Sequence, residues 1–456
     1  MSGKQEQLAA FVETAAEEHG VAGAAVAVLA DGEETYAAWG VTNVEHPLPV
    51  DERTLFPVAS VSKTFTATAL MRLAEQGRLD LDAPVRRYVP ELRLADEGAA
   101  ARITVLNLLN HTAGLDWNLV DADEGDGSLA AFVARLDRLP LIAPPGARAS
   151  YSQAGYNLLG RVVEHVTGLP FEKAVAGLLL RPLGLADTVF DLDDVVVRRF
   201  AVGHNRAADG TLTPARPWKS WRAGLRGNNP GGGIVSSASD LLRWARFQLG
   251  DGEGLLPAGT LRRMREPTVA LRGSTLGDAF GICWFLRDVQ GVRTAGHGGS
   301  GNGQFAELLL VPGRDVAVVS LANSGPDGYQ FNQAVLKRAL ELFVGVAERE
   351  PEPLPYDEER AREVVGRYRI DAMNLDIAAD AGRLTLAVGI RPGIRAASDA
   401  QMPPDHPAAE IGFLPGDGDE YVVTEGGLKG QRGFFSRAAD GTVTGVDLAG
   451  RLFPRA

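Results

Sequence analysis

A serine and a lysine stand three residues apart in "VASVSKTFTATALMRL", the stretch from Val58 to Leu73, whose other residues suit an apolar, buried helix. An amine desolvated among Val, Ala, Phe and Leu is costly unless it is partnered or gives up its proton. If Ser60 opens a helix, free backbone N–H groups and the positive dipole end lie where an oxyanion would be stabilised. Lys63 projects from the same face; desolvation favours its neutral form, and a neutral amine can accept the serine proton. The alternative is an N-cap serine and a snorkelling surface lysine, and a single S-x-x-K does not decide between them.

Two further stretches carry reactive side chains. "PPGARASYSQAGYNLLG" places Tyr151, Ser152 and Gln153 between a Pro144-Pro145-Gly146 turn and a helix from about Gly155. A phenol beside an ammonium would have its ionised form favoured and could relay a proton to a leaving group; a tyrosine packing edge with an exposed hydroxyl is the other reading. "RTAGHGGSGNGQF" sets His297 among glycines 296, 298, 299, 301 and 303. Glycines weaken a strand, so their density suggests that a ligand or another backbone must approach closely; a glycine-rich hairpin loop with a solvated histidine fits the same letters.

The elements that must position these residues follow from periodicity. The first helix of "MSGKQEQLAAFVETAAEEHG" puts Leu8, Phe11, Val12 and Ala15 on one face. "VAGAAVAVLADGEETYAAWGVTN" reads as a hairpin about Asp31-Gly32. From about residue 64 to residue 250, "TFTATALMRLAEQG", "TVLNLLNHTAGL", "GYNLLGRVVEHVTG", "FEKAVAGLLLRPLG" and "SASDLLRWARFQLG" show helical apolar spacing with glycine near each end. Strands return at "FGICWFLRDVQGVRTAGHGGSGNGQFAELLLVPGRDVAVVSLANSG", with turns at Gln290-Gly291 and Pro312-Gly313, and the helix "FNQAVLKRALELFVGV" follows. A sheet built from both ends of the unit thus brackets a helical lobe. "EREPEPLPYDEER", with Pro351, Pro353 and Pro355, reads as an extended linker. Beyond it "GRYRI", "LDIAA", "RLTLAV", "EYVVTE", "RGFFSR" and "TVTGVDLAG" read as strands of a small antiparallel barrel. The expected organisation is residues 1–347 as the catalytic domain, 348–360 as linker and 361–456 as barrel.

Composition narrows the function. A net charge of −12 disfavours nucleic acid and anionic lipid surfaces as partners. Cys283 is the single cysteine, so no internal disulfide or Cys cluster forms, and the seven histidines show no H-x-H or H-E-x-x-H spacing; neither metal nor other cofactor is expected. With no apolar run near 18 residues and no signal-like N-terminus, the chain reads as cytoplasmic, which argues against cell-wall precursors as substrates.

Taken together, Ser60-Val61-Ser62-Lys63, Tyr151-Ser152-Gln153 and His297-Gly298-Gly299, in this order and at these separations, resemble the three motifs of the serine penicillin-recognising superfamily, in particular its class C β-lactamase-like branch. "ITVLNLLNHTAGL", "YSQAGYNLLG", "RPLGLADT" and "PGGGIVSSASDLLRW" resemble segments of that branch, over about residues 5–345. The resemblance implies an α/β (α+β) fold: an antiparallel β-lactamase/transpeptidase-like sheet flanked by helices, an all-helical lobe, and a tail similar to the lipocalin-like barrel of several D-amino-acid peptidases and peptide cyclases. It makes Ser60 the acylated nucleophile, Lys63 its base partner and Tyr151 the proton relay to the leaving group and later to the deacylating water or acceptor. It also implies an oxyanion hole from the N–H groups of Ser60 and Ser300, and His297 in the place of the lysine of K-T-G, near the substrate carboxylate or leaving group. Gln153, Gly298 and Gly299 join Ser300 on the substrate side.

Two departures shape the expected activity. Gln153 replaces the asparagine of Y-x-N, extending its carboxamide by one methylene toward substrate or Lys63. H-G-G replaces K-T-G, a pattern that resembles D-aminopeptidases, some DD-peptidases and peptidyl cyclases more than efficient class C β-lactamases. The expectation is a serine hydrolase or acyltransferase acting on peptide bonds with D-residues, on amides or on esters. A carrier-bound peptidyl thioester, with cyclisation, or an ester with weak β-lactamase activity, are the alternatives. An α/β-hydrolase is disfavoured because no G-x-S-x-G occurs, and a non-catalytic binding module is the reading outside enzymology. Trp117, Trp218 and Trp221 are candidates to line the pocket or to pack.

Overall fold

A computed structural model describes residues 3–119, 128–207, 209–215, 226–397, 405–416 and 418–456. Helix α1 (Gly3–Glu18) buries Leu8, Val12 and Ala15 with Phe11 half-buried, the face expected from its spacing. Strands β1 (Gly23–Ala30) and β2 (Glu33–Gly40) turn about Asp31 and Gly32, at φ of 53° and 79°. Both values suit the type I′ turn whose twist matches a hairpin.

The main sheet has eight antiparallel strands among the described residues. Six more lie toward the other end of the unit: β3 (Val269–Ser274), β4 (Gly277–Phe280), β5 (Phe285–Val289), β6 (Val292–Gly301), β7 (Gln304–Val311) and β8 (Val316–Ala322). Their order is β2-β1-β8-β7-β6-β5-β4-β3, so first and last strands of the chain's sheet segments pair at its centre. Strand β1 is apolar throughout because both faces are covered, and the two-residue period sorts it. Ala25, Ala27 and Leu29 join the core shared with the helical lobe, while Ala24, Val26 and Val28 join the one under α1 and α7 (Gly328–Ala339).

Between sheet halves lies the helical lobe. Helix α2 (Ser62–Glu75) runs through its centre with eleven residues buried. Phe65 stacks on Trp244 at 4.0 Å, and the Trp244 Nε1–H donates to Thr64 Oγ1 at 3.0 Å, so the polar side chains of this helix are satisfied inside the core. The stretch "TVLNLLNHTAGL" makes only the short helix α3 (Val105–Leu109), because His111 takes φ of +60° and turns the chain away. Helix α4 (Gln153–Thr167) starts on Ser152, whose Oγ accepts from Gly155 N–H, and stops at Gly168 with φ of +73°. Helices α5 (Asn229–Gly232) and α6 (Ala238–Leu249) complete the wall around α2.

Residues 348–356 form neither helix nor strand, but a helix runs from Glu358 to Val364, inside the stretch expected to be extended. Asp357 caps it by accepting from the Glu359 and Arg360 N–H groups, and its first turn carries two glutamates, so capping and dipole outweigh the prolines upstream. The tail is an eight-stranded antiparallel barrel: β9 (Gly366–Arg369), β10 (Met373–Asp380), β11 (Arg383–Ile390), β12 (His406–Phe413), β13 (Glu420–Val423), β14 (Arg432–Arg437), β15 (Val443–Leu448) and β16 (Arg451–Pro454). A Tyr368–Arg455 bridge nearly closes it, and its interior is filled by Tyr368, Leu375, Leu386, Ile411, Tyr421, Phe435 and Val446. Strands β12 and β16 are absent from the sequence reading. Among the described residues no helix is long and apolar enough to cross a membrane.

The barrel docks on the helical lobe through its last hairpin. Tyr151 N–H donates to the Gly450 carbonyl at 2.7 Å, Leu452 N–H donates to Ser150 Oγ at 3.2 Å, and Asp371 N–H donates to Asp116 Oδ2 at 2.9 Å.

Candidate active site

Ser60 lies on a 3-10 turn, Ala59–Val61, that leads into α2 and leaves the serine partly exposed while its neighbours are buried. The residue before it, Ala59, has φ of +43°. A non-glycine residue held there costs about 1–3 kcal/mol and persists only when its surroundings impose it. The imposing contact is β6: a Cβ on Gly299 would lie 2.1 Å from the Val58 carbonyl oxygen and 3.0 Å from Ser60 N. The glycine at 299 therefore answers a close approach of two backbones, one of the two readings open for that segment.

Lys63 is wholly buried one turn further on. Its Nζ faces three oxygens: Ser60 Oγ at 3.1 Å, the Gly231 carbonyl at 2.7 Å, and Gln153 Oε1 at short range. Burial holds its pKa well below that of an ordinary lysine, Cys283 opposing this and the Arg451 charge adding to it. A neutral amine has two N–H bonds and one lone pair. Of the three oxygens only Ser60 Oγ carries a proton to give, so the two carbonyls take the N–H bonds and the lone pair points at the serine hydroxyl. The lysine so arranged is a base aimed at Ser60.

Gln153 holds this arrangement. Its Nε2 donates to Asn228 Oδ1 at 2.9 Å and to Asn157 Oδ1 at 3.2 Å, which leaves Oε1 for Lys63. The extra methylene fits because residue 231 is glycine, where a Cβ would sit 1.9 Å from Gln153 Nε2. The carboxamide is turned inward to the lysine.

Tyr151 is buried, 5.0 Å from Lys63 Nζ measured to its ring centre, and its hydroxyl is hydrogen-bonded to Ser60. Burial raises its pKa, and the Ser60 hydrogen bond and the Arg451 charge act in the opposite direction. His297 lies on β6 with its ring stacked on Phe285 at 4.3 Å and centred 6.2 Å from Tyr151. Its Nδ1–H donates to the Gly298 carbonyl at 2.8 Å, and burial, aided by the Lys63 charge, lowers it to about 3. It is a neutral imidazole at physiological pH. Gly298 faces the opposite side of the strand, where a Cβ would meet Glu307 Oε1 at 2.7 Å, and Ser300 is exposed. Trp117 is half-buried against the barrel core; Trp218 and Trp221 lie outside the described residues.

The structure thus brings Ser60, Lys63, Tyr151, Gln153, His297 and Gly299 together and adds residues the sequence reading passed over. Arg451, from β16 of the barrel, places its guanidinium 4.9 Å from the Tyr151 ring centre and 5.8 Å from that of Trp117. Its charge acts on Lys63, His111 and Tyr151, so it, and not His297, is the cation over the phenol. His111 and Asn228 complete the wall. Among the described residues no group of three or more His, Cys, Asp or Glu side chains is placed to hold a metal ion.

A family profile described as "Beta-lactamase" matches residues 8–341. Penicillin-binding protein 4 of Amycolatopsis lactamdurans is 35% identical over 318 residues, covering 68% of this chain and 82% of that protein. Esterase EstB of Burkholderia gladioli is 31% identical over 366 residues, covering 71% of this chain and 91% of that one. Among solved structures, SurE with D-Leu superposes with a TM-score of 0.75 at 28% identity over 100% of both chains, barrel included. The D-amino acid amidase from Ochrobactrum anthropi SV3 complexed with D-phenylalanine shares the fold, with a TM-score of 0.63 at 24% identity over 74% of this chain and 99% of that one.

Proposed function

The chain belongs to the beta-lactamase family, serine hydrolases of that fold, and from this premise we propose that it forms an acyl-enzyme on Ser60 and passes the acyl group to water or an amine. The Ser60 oxygen attacks the substrate carbonyl carbon as its proton moves to the Lys63 lone pair. The carbonyl oxygen becomes an oxyanion that the Ser60 and Ser300 N–H groups receive. Tyr151 supplies a proton to the leaving group as the carbon–leaving-group bond breaks, and takes one from the incoming water or amine in the second half-reaction. Gln153 keeps the lysine aimed, Gly299 lets β6 close on the nucleophile, and His297 forms an uncharged wall.

The observation that carries this reading is the contact set of Lys63: two oxygens that can only accept and one hydroxyl that can donate. Amide, ester and D-residue peptide substrates fit the same machinery. The esterase relative supports esters, and the whole-chain likeness to a protein crystallised with D-Leu supports a D-residue in the substrate. That likeness extends over the barrel, which also favours, as a second reading, transfer of a peptidyl thioester to an amine. A cytoplasmic location accompanies either one.

Labelling with a fluorophosphonate probe followed by peptide mass spectrometry tests the proposal. The expected modification is on Ser60, lost in Ser60→Ala and slowed at least about 100-fold in Lys63→Met. Turnover of p-nitrophenyl acetate that is unchanged in Ser60→Ala would refute it.

A further inference from the structure

His111 is two per cent exposed and sits at φ of +60°, a region in which histidine and asparagine are more at ease than most residues. The extended segment Ser150-Tyr151-Ser152 runs beside it. Ser150 N–H donates to the His111 carbonyl at 2.9 Å, and Ser152 N–H donates to His111 Nδ1 at 3.1 Å. Between them, Tyr151 N–H points the other way, to Gly450. Successive N–H groups of an extended chain alternate in direction, so residues i and i+2 need acceptors on one side. A neighbouring strand would supply two carbonyls; here one residue supplies both, its imidazole standing in for the second.

The same ring lies against the side chain that the segment carries. Its centre is 4.4 Å from that of Tyr151 and 5.1 Å from that of Tyr156. Nδ1 can accept only if the imidazole is neutral. Burial, with Lys63 next in size, holds the ring well below the usual histidine range, which agrees with that hydrogen bond. A charged ring would set Nδ1–H against Ser152 N–H.

We infer that His111 is a positioning residue for Tyr151, fixing the phenol between Ser60 and the leaving group by supplying both acceptors for the residues on either side of it. The inference rests on the reading of Tyr151 as the proton relay. Its strained backbone and the acceptor role of Nδ1 give the histidine a use that filling the core does not require.

The test uses the full chain with two esters of different leaving-group basicity, p-nitrophenyl acetate and phenyl acetate. His111→Asn keeps a side-chain acceptor and tolerates φ above zero; His111→Phe keeps a flat ring and loses the acceptor. Misplacing a reacting group by about 1 Å costs about 100-fold, so His111→Phe should lose up to about that factor in kcat on phenyl acetate, with KM within about twofold. The loss should be smaller on p-nitrophenyl acetate, whose leaving group needs less protonation. His111→Asn should keep kcat to within about fivefold of native. In a Tyr151→Phe background, His111→Phe should cost nothing more, since both changes remove the same proton transfer. Equal losses in the Asn and Phe variants, or a loss that ignores the leaving group, would overturn the inference. Full activity in Tyr151→Phe would instead sink the relay reading on which it stands. If a melt shows that either variant is unfolded, His111→Gln and His111→Met replace the pair as acceptor-keeping and acceptor-lacking, with the same outcomes.

Discussion

The fit between Gln153 and Gly231 supports a prediction in which the same substitution is damaging in one background and harmless in another. In Gly231→Ala the new Cβ starts 1.9 Å from Gln153 Nε2 and must reach 3.0 Å or more, a displacement of about 1.1 Å. The carboxamide cannot withdraw freely, because Asn157 and Asn228 hold its nitrogen while Lys63 holds its oxygen. Helix α5 cannot withdraw freely either, since the Gly231 carbonyl is itself a partner of Lys63 at 2.7 Å. Either movement separates the lysine from one of the carbonyls that aim its lone pair. A hydrogen bond to a basic group is worth about 1.5–3 kcal/mol, so kcat/KM should fall about 10- to 150-fold. Gln153→Asn shortens the side chain by one carbon–carbon bond, about 1.5 Å, and by itself should also lose about 10-fold, because the carbonyl no longer reaches Lys63. It clears the space into which the alanine methyl projects. Adding Gly231→Ala to Gln153→Asn should therefore cost less than about threefold. Initial rates with p-nitrophenyl acetate at low substrate concentration give kcat/KM for all four proteins, and thermal melts confirm that each is folded. Near-native activity of Gly231→Ala alone, or the same loss in both backgrounds, would refute the argument.

Three other outcomes follow from the site and its supports. In Gly299→Ala the methyl would start 2.1 Å from the Val58 carbonyl, so β6 must retreat by more than 1 Å from the Ser60 turn; fluorophosphonate labelling should slow by about 100-fold, and labelling at the native rate would contradict it. Arg451→Gln removes a positive charge that, with the larger effect of burial, lowers Lys63; the neutral lysine should then appear only at higher pH, moving the acid limb of kcat/KM upward, and an unmoved limb would show that the guanidinium does not reach the base. Asp447, buried in β15, is raised by burial from 3.8 to about 7, against the pull of Arg148, Gly450 N–H and Arg451. Between those pH values the folded chain keeps a proton that the unfolded chain releases, so this group makes stability fall as pH rises through the window. Asp447→Asn should flatten that part of the dependence of Tm on pH, and an unchanged slope would be the contrary result.

Which of these features were legible in the letters depends on how far apart in the chain their causes lie. Ser60 and Lys63 share one helical turn, and the conflict between an amine and an apolar run is visible without coordinates. Strands β1, β7 and β8 are continuous apolar runs because two cores cover them, so their character is also local. Gln153 is the intermediate case. Its carboxamide chemistry was readable, but its inward direction is set by the missing Cβ of Gly231, on a different helix. The hairpin β15–β16 was not readable: "TVTGVDLAG" suggested a single strand, and "RLFP" is too short to show alternation and ends in proline. Strand β12, "HPAAEIGF", buries Ala409, Ile411 and Phe413 in alternation, but the polar residues and proline at its start hide that period.

The two residues that surround Tyr151 without appearing in any motif illustrate one physical distinction. A nucleophile and its base must share a helix turn or an equally rigid unit, because a proton passes directly between them. A group that only orients the phenol, or acts on it through charge, needs no fixed chain separation. His111 reaches Tyr151 through backbone hydrogen bonds on one side of the segment, and Arg451 reaches it through the barrel hairpin on the other, with Gly450 accepting from the tyrosine N–H. The relay tyrosine is thus held between two parts of the chain, one from the helical lobe and one from the tail. For that reason the tail belongs to the active site: its last hairpin supplies an acceptor to the Tyr151 backbone and a cation over the Tyr151 ring, and a change in how the barrel docks is a change in the geometry of the proton relay.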